Sequence, residues 1–270
     1  MTTPHTIAIF GLGEAGSLFA TDLSKLGIQV NAYDPADVGT PADIRRHAKP
    51  GDAVAGAEVV LALTGGADAA TALSQAIDDI PKSALYADLS TNSAGTKKDL
   101  AATAEAHDLP FVDIAMMTTV PGNGLRTPAL ASGAGASRYV EIFGELGVPV
   151  ERVSNTPGDA ATRKLLRSVM VKGLAALVIE AMRAGDKAGC GDWLWQNIAV
   201  AIRDADEAFV ARLVNGTEKH AIRRLHEMEA CASLLEELGV DPVLTRATAE
   251  SLRRLPSEGI PNVPSDHDLS

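Results

Sequence analysis

Gly11-Leu12-Gly13-Glu14-Ala15-Gly16 is the stretch that decides the fold. The residues before it, Ile7–Phe10, form a short apolar run of the kind that makes a buried strand. A helical pattern, Ala15–Leu26, follows directly. Strand, spaced glycines and helix in that order are the context of a dinucleotide-binding fingerprint. Gly11 would allow the tight turn. Gly13 would let the backbone approach a pyrophosphate, and Gly16 would let helix and strand pack closely. The helix start adds unpaired N–H groups and a partial positive charge. The whole loop, with Leu12, Glu14 and Ala15 between the glycines, is therefore expected to line a cofactor.

Working outward, Asp34 follows the second apolar run, Gln29–Tyr33. A carboxylate there accepts hydrogen bonds from an adenosine ribose and repels a 2′-phosphate. No Arg or Lys follows it before Arg45, so NAD is favoured over NADP as the cofactor. Further strand-like runs are Val59–Leu63, Leu85–Asp88 and Phe111–Ile114, with helical patterns at Ala67–Asp79 and Ala94–His107 between them. This alternation predicts an α/β Rossmann-type domain with a parallel sheet over residues 1–155. Ala129–Ser132, a helix near Ala136–Leu146 and a last strand at Val148–Val153 complete it. Leu63, Thr64 and Thr91, at the ends of their runs, are also expected to line the cofactor.

From Asp159 onward no convincing strand is found. Helical patterns at Asp159–Ala184, Asp192–Val214, Thr217–Leu238 and Pro242–Leu255 predict an all-α C-terminal domain over residues 156–270. Its first helix is expected to start with Thr156 as N-cap, Pro157 at the first helical position and Asp159 at the third. Gly239 is expected to stop the third helix. Of Trp193 and Trp195, one is expected in the core and the other at a subunit interface. The tail from Ser257 is expected to be loose.

Composition narrows the function. The chain has 270 residues, 46% of them hydrophobic, which suffices for a core without staples. Its net charge of −11 argues against nucleic-acid binding and against docking on anionic lipid. Cys190 and Cys231 stand far apart, the histidines show no metal-ligand spacing, and no metal site is expected. With no signal-like start and no apolar run long enough to span a membrane, a cytoplasmic protein is expected.

Four stretches together resemble the β-hydroxyacid dehydrogenase superfamily. They are the glycine loop, Asp88-Leu89-Ser90-Thr91, the segment from Asp113 to Gly133, and Gly158 to Lys164. That superfamily includes 3-hydroxyisobutyrate and 6-phosphogluconate dehydrogenases, with imine reductases as relatives. The chain is most similar to a subgroup labelled phosphogluconate dehydrogenase-like, with a distinct C-terminal domain. The resemblance implies an NAD(P)-dependent oxidoreductase acting on the hydroxyl carbon of a small polar acid. Lys164 falls on the family's catalytic lysine and would be the general acid/base, its pKa lowered by desolvation and by Arg163 and Arg167. Ser168, one helical turn on, would orient it or touch substrate. Ser90, Asn92, Thr118 and Thr119 would orient the substrate. A partner subunit in a homodimer would offer His220 and Arg224; His220, Arg223 or Arg224, and Glu227 recur at helical spacing on one face.

Two positions depart from the family. Met117-Thr118-Thr119 stands where a Ser-Gly-Gly usually binds the substrate carboxylate, and Ser168 replaces an asparagine. Read for structure alone, Ser90 and Thr91 would cap the next helix, the Arg–Lys cluster would be a solvated face, and the 118–124 loop would be a turn. Reduction of a C=N bond, oxidation with decarboxylation, and a catalytically inactive dinucleotide-binding protein are the alternative functions.

Overall fold

A computed structural model describes residues 4–263 of the chain. Its contacts divide it into two compact units, with the division in the chain between Arg167 and Ser168.

The first unit is an eight-stranded sheet. Strand β1 (Thr6–Phe10) leads into helix α1 (Glu14–Lys25) and strand β2 (Gln29–Tyr33). A two-residue strand, β3 (Arg45–Arg46), and a short helix, α2 (Pro50–Val54), come next; neither is visible in the apolar pattern. Strand β4 (Val59–Ala62) precedes helix α3 (Ala69–Ser74), which is shorter than the expected Ala67–Asp79 because Gly66–Asp68 form a 3-10 turn before it and residues 75–79 form turns after it. Strand β5 (Leu85–Asp88), helix α4 (Ala94–Glu105) and strand β6 (Phe111–Met116) follow, then β7 (Ala129–Ser132), α5 (Ala136–Glu145) and β8 (Val150–Ser154).

The strand order is β3-β2-β1-β4-β5-β6-β7-β8. The chain turns back at β1, which pairs with β2 on one side and β4 on the other, both parallel. Such a reversal opens a crevice at the carboxyl ends of the strands, where ligands bind. Both faces are covered: Ile7 and Ile9 pack under α1 and α5, while Ala8 and Phe10 pack under α2, α3 and α4. Strands buried on both sides read as continuous apolar runs rather than alternating ones. One pairing departs from the parallel expectation. β7 runs antiparallel to β6, so the loop 117–128 turns over at the carboxyl edge of the sheet, on the ligand side.

The second unit is helical. It takes most of α6 (Asp159–Lys187), then α7 (Gly191–Arg203), α8 (Glu207–Glu237) and α9 (Val243–Glu258). The division lies twelve residues past the expected boundary at 155/156. The reason is the first turn of α6, where Ala160 and Ala161 are buried and hydrogen-bonded into the sheet unit. Thr156 is not the N-cap of α6; the helix starts at Asp159 after Gly158, whose φ is +92°. The expected break near Val214–Thr217 also lies elsewhere. Asp206 caps α8 by accepting from the Phe209 N–H at 2.7 Å, and the helix runs on through Gly216, bent at His220 (φ −122°, ψ 21°). Gly239, at φ +72°, follows the end of α8 as expected.

Glu180 of α6 ties this unit together. Pro242 precedes α9 and offers no side-chain cap. The buried Glu180 carboxylate accepts instead from the N–H groups of Leu244 and Thr245 and from the Thr245 hydroxyl, at 2.7–2.9 Å. Trp193 and Trp195 are both exposed, at 64% and 59%, so neither is a core residue. No helix among the described residues is long and apolar enough to cross a membrane.

Candidate active site

The glycine loop has the geometry its sequence demands. Gly13 leads into α1 with φ −63°, and the Gly11 N–H bonds to the Tyr33 carbonyl at 2.9 Å. A Cβ at Gly16 would lie 1.9 Å from the Gly11 carbonyl oxygen, so helix and loop pack at a distance only glycine permits. A Cβ at Gly13 would meet nothing within 4 Å; the backbone there faces open space. That space is a crevice of about 390 Å3 lined by Gly11, Gly13, Asp34, Leu63, Thr64 and Asp68, among others. The Thr64 hydroxyl is buried and has no hydrogen-bond partner among the described residues. An open glycine backbone, an orphaned hydroxyl and a carboxylate at one helix start suit a dinucleotide.

Asp34 is held firmly. Its carboxylate accepts from the Leu12 N–H at 2.6 Å and from the Ala36 N–H at 2.8 Å. Arg46 of β3 braces the turn that follows by donating to the carbonyls of Asp34, Val38 and Ala36. That guanidinium is engaged by backbone, and no Arg or Lys lines the crevice. The bracing role of Arg46 has no sequence signal beyond an isolated basic pair.

A second cluster lies along the sheet's carboxyl edge, where Ser90, Thr91, Asn92, Asp113, Ala161, Lys164 and Leu165 line a small pocket. Gly158 makes it possible: a Cβ there would sit 2.7 Å from the Ala94 carbonyl oxygen, so α6 starts hard against α4. Three residues into the helix beyond Ala161, the Lys164 Nζ donates to the Thr91 Oγ1 at 2.9 Å. Lys164 is half-buried, so the protein removes only part of its water. Arg167, one turn on, donates to the Met117 carbonyl at 2.9 Å and so tethers the loop that carries the exposed Thr118 and Thr119. At the loop's far end the Asp22 carboxylate of α1 accepts from the Leu125 N–H at 2.9 Å. The loop is thus pinned both to the cofactor helix and to the lysine helix.

Ser90 and Asn92 are more occupied than expected of substrate ligands. The buried Ser90 hydroxyl donates to Asp88 Oδ2 at 2.9 Å and accepts from Asn92 Nδ2 at 2.9 Å, while Asn92 also donates to the Gly66 carbonyl. The cap of α4 is Ser93, which accepts from the Thr96 N–H, rather than Ser90 or Thr91. Burial first, and then the Asp88 carboxylate, push the neighbouring Tyr86 phenol well above its usual range.

The remaining expected residues belong to the second unit by contact. The Ser168 hydroxyl accepts from Lys172 Nζ at 3.4 Å. His220 sits at the bend of α8, and Arg224 donates to the Thr217 hydroxyl and the Leu213 carbonyl beside that bend. Arg223, not Arg224, pairs with Glu227, at 3.7 Å.

Residues 6–135 match the family described as the NAD binding domain of 6-phosphogluconate dehydrogenase. That match spans just under half of the chain. Residues 186–255 match a domain of unknown function, DUF1932, which agrees with the subgroup resemblance. A conserved hypothetical protein from Sinorhizobium meliloti 1021 is 28% identical, over 99% of this chain and 93% of that one, with a TM-score of 0.61. An imine reductase variant from Myxococcus stipitatus, solved with NAD+, is 16% identical over 96% of this chain and 95% of that one, with a TM-score of 0.81. An uncharacterized 28.5 kDa protein of Methanothermus fervidus is 25% identical over 54% of this chain, and the match spans 56% of that protein. The expected α/β fold, the helical C-terminal region and the nicotinamide cofactor are thereby established.

Proposed function

We propose that the protein is an NAD-dependent oxidoreductase that moves a hydride between the nicotinamide and the hydroxyl carbon of a small polar acid. The observation that carries this reading is the Lys164–Thr91 hydrogen bond, at the carboxyl edge of the same sheet that bears the glycine loop. When bound, the cofactor supplies the hydride acceptor. In the oxidising direction the neutral Lys164 Nζ takes the hydroxyl proton as the carbonyl forms, and in reduction the ammonium returns it. Thr91 holds Nζ in place. Arg163 and Arg167 flank Lys164 on α6 and make this end of the site cationic, which suits an acid substrate. Thr118 and Thr119, on the doubly pinned loop, offer hydroxyls to its polar groups. The Asp34 and Asp68 carboxylates line the crevice, and the nearby Arg46 guanidinium is committed to the carbonyls of Asp34, Ala36 and Val38, which supports NAD over NADP.

A second reading keeps the site and changes the bond. The similarity of fold to imine reductases favours C=N reduction, in which an already protonated imine would take the hydride and Lys164 would help to bind it. One panel separates the readings: hydroxy acids and sugar acids with NAD and NADP, and cyclic imines with NADH, for wild type and Lys164→Ala. Hydroxy-acid turnover that Lys164→Ala loses while still binding NADH supports the proposal. Turnover of imines alone moves it to the second reading. Tight NADH binding with no turnover of any class defeats both in favour of a binding protein.

The helical unit supports a homodimer. Val169, Met170, Trp193 and Trp195 are each more than half exposed, and Leu174 and Leu177 lie on the same helix as the first two. Side chains of this size, exposed on two successive helices, are the argument for a covering surface.

A further inference from the structure

Beneath the Lys164 pocket lies a charge cluster that the proposed reaction does not use. Lys97 of α4 has a side chain only 1% exposed. Its ammonium donates to Asp88 Oδ2 at 2.7 Å and to the Asp88 carbonyl at 3.0 Å, and stands 3.0 Å from Asp113 Oδ1. Asp88 and Asp113 are register partners on adjacent parallel strands, so their buried carboxylates project side by side. Lys97 is the only cation between them among the described ion pairs.

Each carboxylate carries one half of the site. Asp88 accepts from the Ser90 N–H at 3.2 Å and from the Ser90 hydroxyl, and through Ser90 it holds Asn92. Asp113 Oδ2 accepts from the Ala161 N–H and the Ser132 hydroxyl, both at 3.1 Å, and Ser132 Oγ accepts from the Ala160 N–H at 3.0 Å. Ala160 and Ala161 form the first turn of α6, directly before Lys164. One ammonium thus joins the strand end that bears Thr91 to the helix that bears Lys164. Two carboxylates against one ammonium leave the cluster a net negative charge, opposite the positive start of α6. Apolar residues of similar volume would stabilise such a contact as well or better, so three buried charges are a costly way to gain stability alone.

We propose that Lys97 is a positioning residue that sets the placement of Lys164 against Thr91. The inference rests on Lys164 being the proton-transfer group, and its test is arranged to stand apart from that reading. Lys97→Met keeps the bulk and removes the charge. Lys97→Met/Asp113→Asn restores the original net charge and leaves an amide oxygen for the Ala161 N–H. Since the glycine loop and Asp34 lie on other strands, NADH affinity is expected to stay within about twofold in both variants. For the single variant, kcat is expected to fall about 100-fold, the order of loss that a 1 Å misplacement produces, with KM little changed. The double variant is expected to recover most of that loss, which repacking alone would not achieve. A folded Lys97→Met with wild-type kcat, or a double variant no better than the single one, would overturn the proposal. Should Lys97→Met not fold, Ser132→Ala carries the test: it removes only the hydroxyl between Asp113 and Ala160, and an unchanged kcat would sink the idea. Where no substrate turns over, acetylation of Lys164 by acetic anhydride, with acetate as leaving group, followed by mass spectrometry against the exposed Lys25, gives the same answer. A changed relative rate supports positioning, and an unchanged rate refutes it. If Lys164→Ala retains full turnover while Lys97→Met still changes the labelling of Lys164, the reaction reading fails and the positioning role stands.

Discussion

Asp34 offers the sharpest test of cofactor choice. Its carboxylate already holds two backbone N–H groups, at 2.6 and 2.8 Å, and retains further lone pairs for a ribose. A 2′-phosphate on that ribose would place nearly two negative charges about 5 Å from the carboxylate. At an effective dielectric of about 40 the repulsion is about 3 kcal/mol, or roughly a 100-fold preference for NAD. Asp34→Asn removes the repulsion and keeps one acceptor oxygen, so the loop loses one charge-assisted bond of about 1.5–3 kcal/mol without losing its shape. Fluorescence titration with NADH and NADPH reads both effects. Wild type is expected to prefer NADH about 100-fold, and the variant less than about 10-fold, through tighter NADPH and weaker NADH binding. The wild-type preference should also shrink as salt is raised, because the crevice is open to solvent. A wild type that binds both cofactors equally, or a variant that keeps its full preference, would show that the Asp34 charge is not the discriminator.

The glycine loop yields a contrast between two single changes. Gly13→Ala has room for its Cβ and is expected to melt like wild type while losing NADH affinity at least about 10-fold, as a methyl fills the phosphate approach; Gly16→Ala, whose Cβ would collide with the Gly11 carbonyl, is expected to lose both affinity and stability. Equal melting of the two variants would contradict the geometry. In the helical unit, Glu180→Ala uncaps α9 and is expected to cost about 1–3 kcal/mol in urea unfolding at pH 7. Burial pushes the Glu180 carboxyl up, but its hydrogen bonds from Thr245, Leu244 and Val243 together outweigh it, and the folded-state value is lowered. The stabilisation is therefore complete above the unfolded-state value near 4.3 and fades as pH falls through the lower folded one, so the deficit of the variant should shrink toward pH 4 and below. A deficit constant with pH would rule out the ionised carboxylate as the cap. Last, Met170→Glu with Trp193→Glu is expected to convert a dimer into a soluble monomer by light scattering; a monomeric wild type would remove the dimer proposal.

What was legible in the sequence follows from how narrowly the physics restricts residue type. At Gly16 no side chain fits, and the crevice beside Asp34 is served by a carboxylate, so spacing alone points to the cofactor site. Strand runs buried on both faces, such as Val59–Ala62, leave a continuous apolar signature. The antiparallel β7 leaves none, because pairing direction depends on where the 117–128 loop turns. The helix break at Asp204–Asp206 was hidden because Gly216 looks like a better one, yet α8 carries it through. The Lys97 cluster was invisible for a different reason. Its face of α4, Lys97, Leu100 and Ala104, looks like an amphipathic stripe with a lysine at its edge, and only the fold shows that two strand-end aspartates meet it. The tether from Arg167 to Met117 and the cap supplied by Glu180 are hidden likewise, since each acts on a backbone group far away in sequence.

The two halves of the site also differ in what they ask of the reaction. The glycine-loop crevice and Asp34 are indifferent to whether the hydride goes to a carbonyl or an imine carbon. The difference falls on Lys164, because an alcohol must lose a proton as it is oxidised, whereas an imine accepts hydride best when it is already protonated. A lysine that must be neutral to begin one direction of the alcohol reaction gives a pH–rate profile rising with pH for oxidation and falling with pH for reduction, through one shared midpoint. For imine reduction the substrate's own basicity sets the midpoint, which would then move from one imine to the next and persist in Lys164→Met. A midpoint that stays with the enzyme across substrates, and vanishes in Lys164→Met, assigns the proton to Lys164. One that follows the substrate assigns the chemistry to the imine reading and leaves the lysine a binding role.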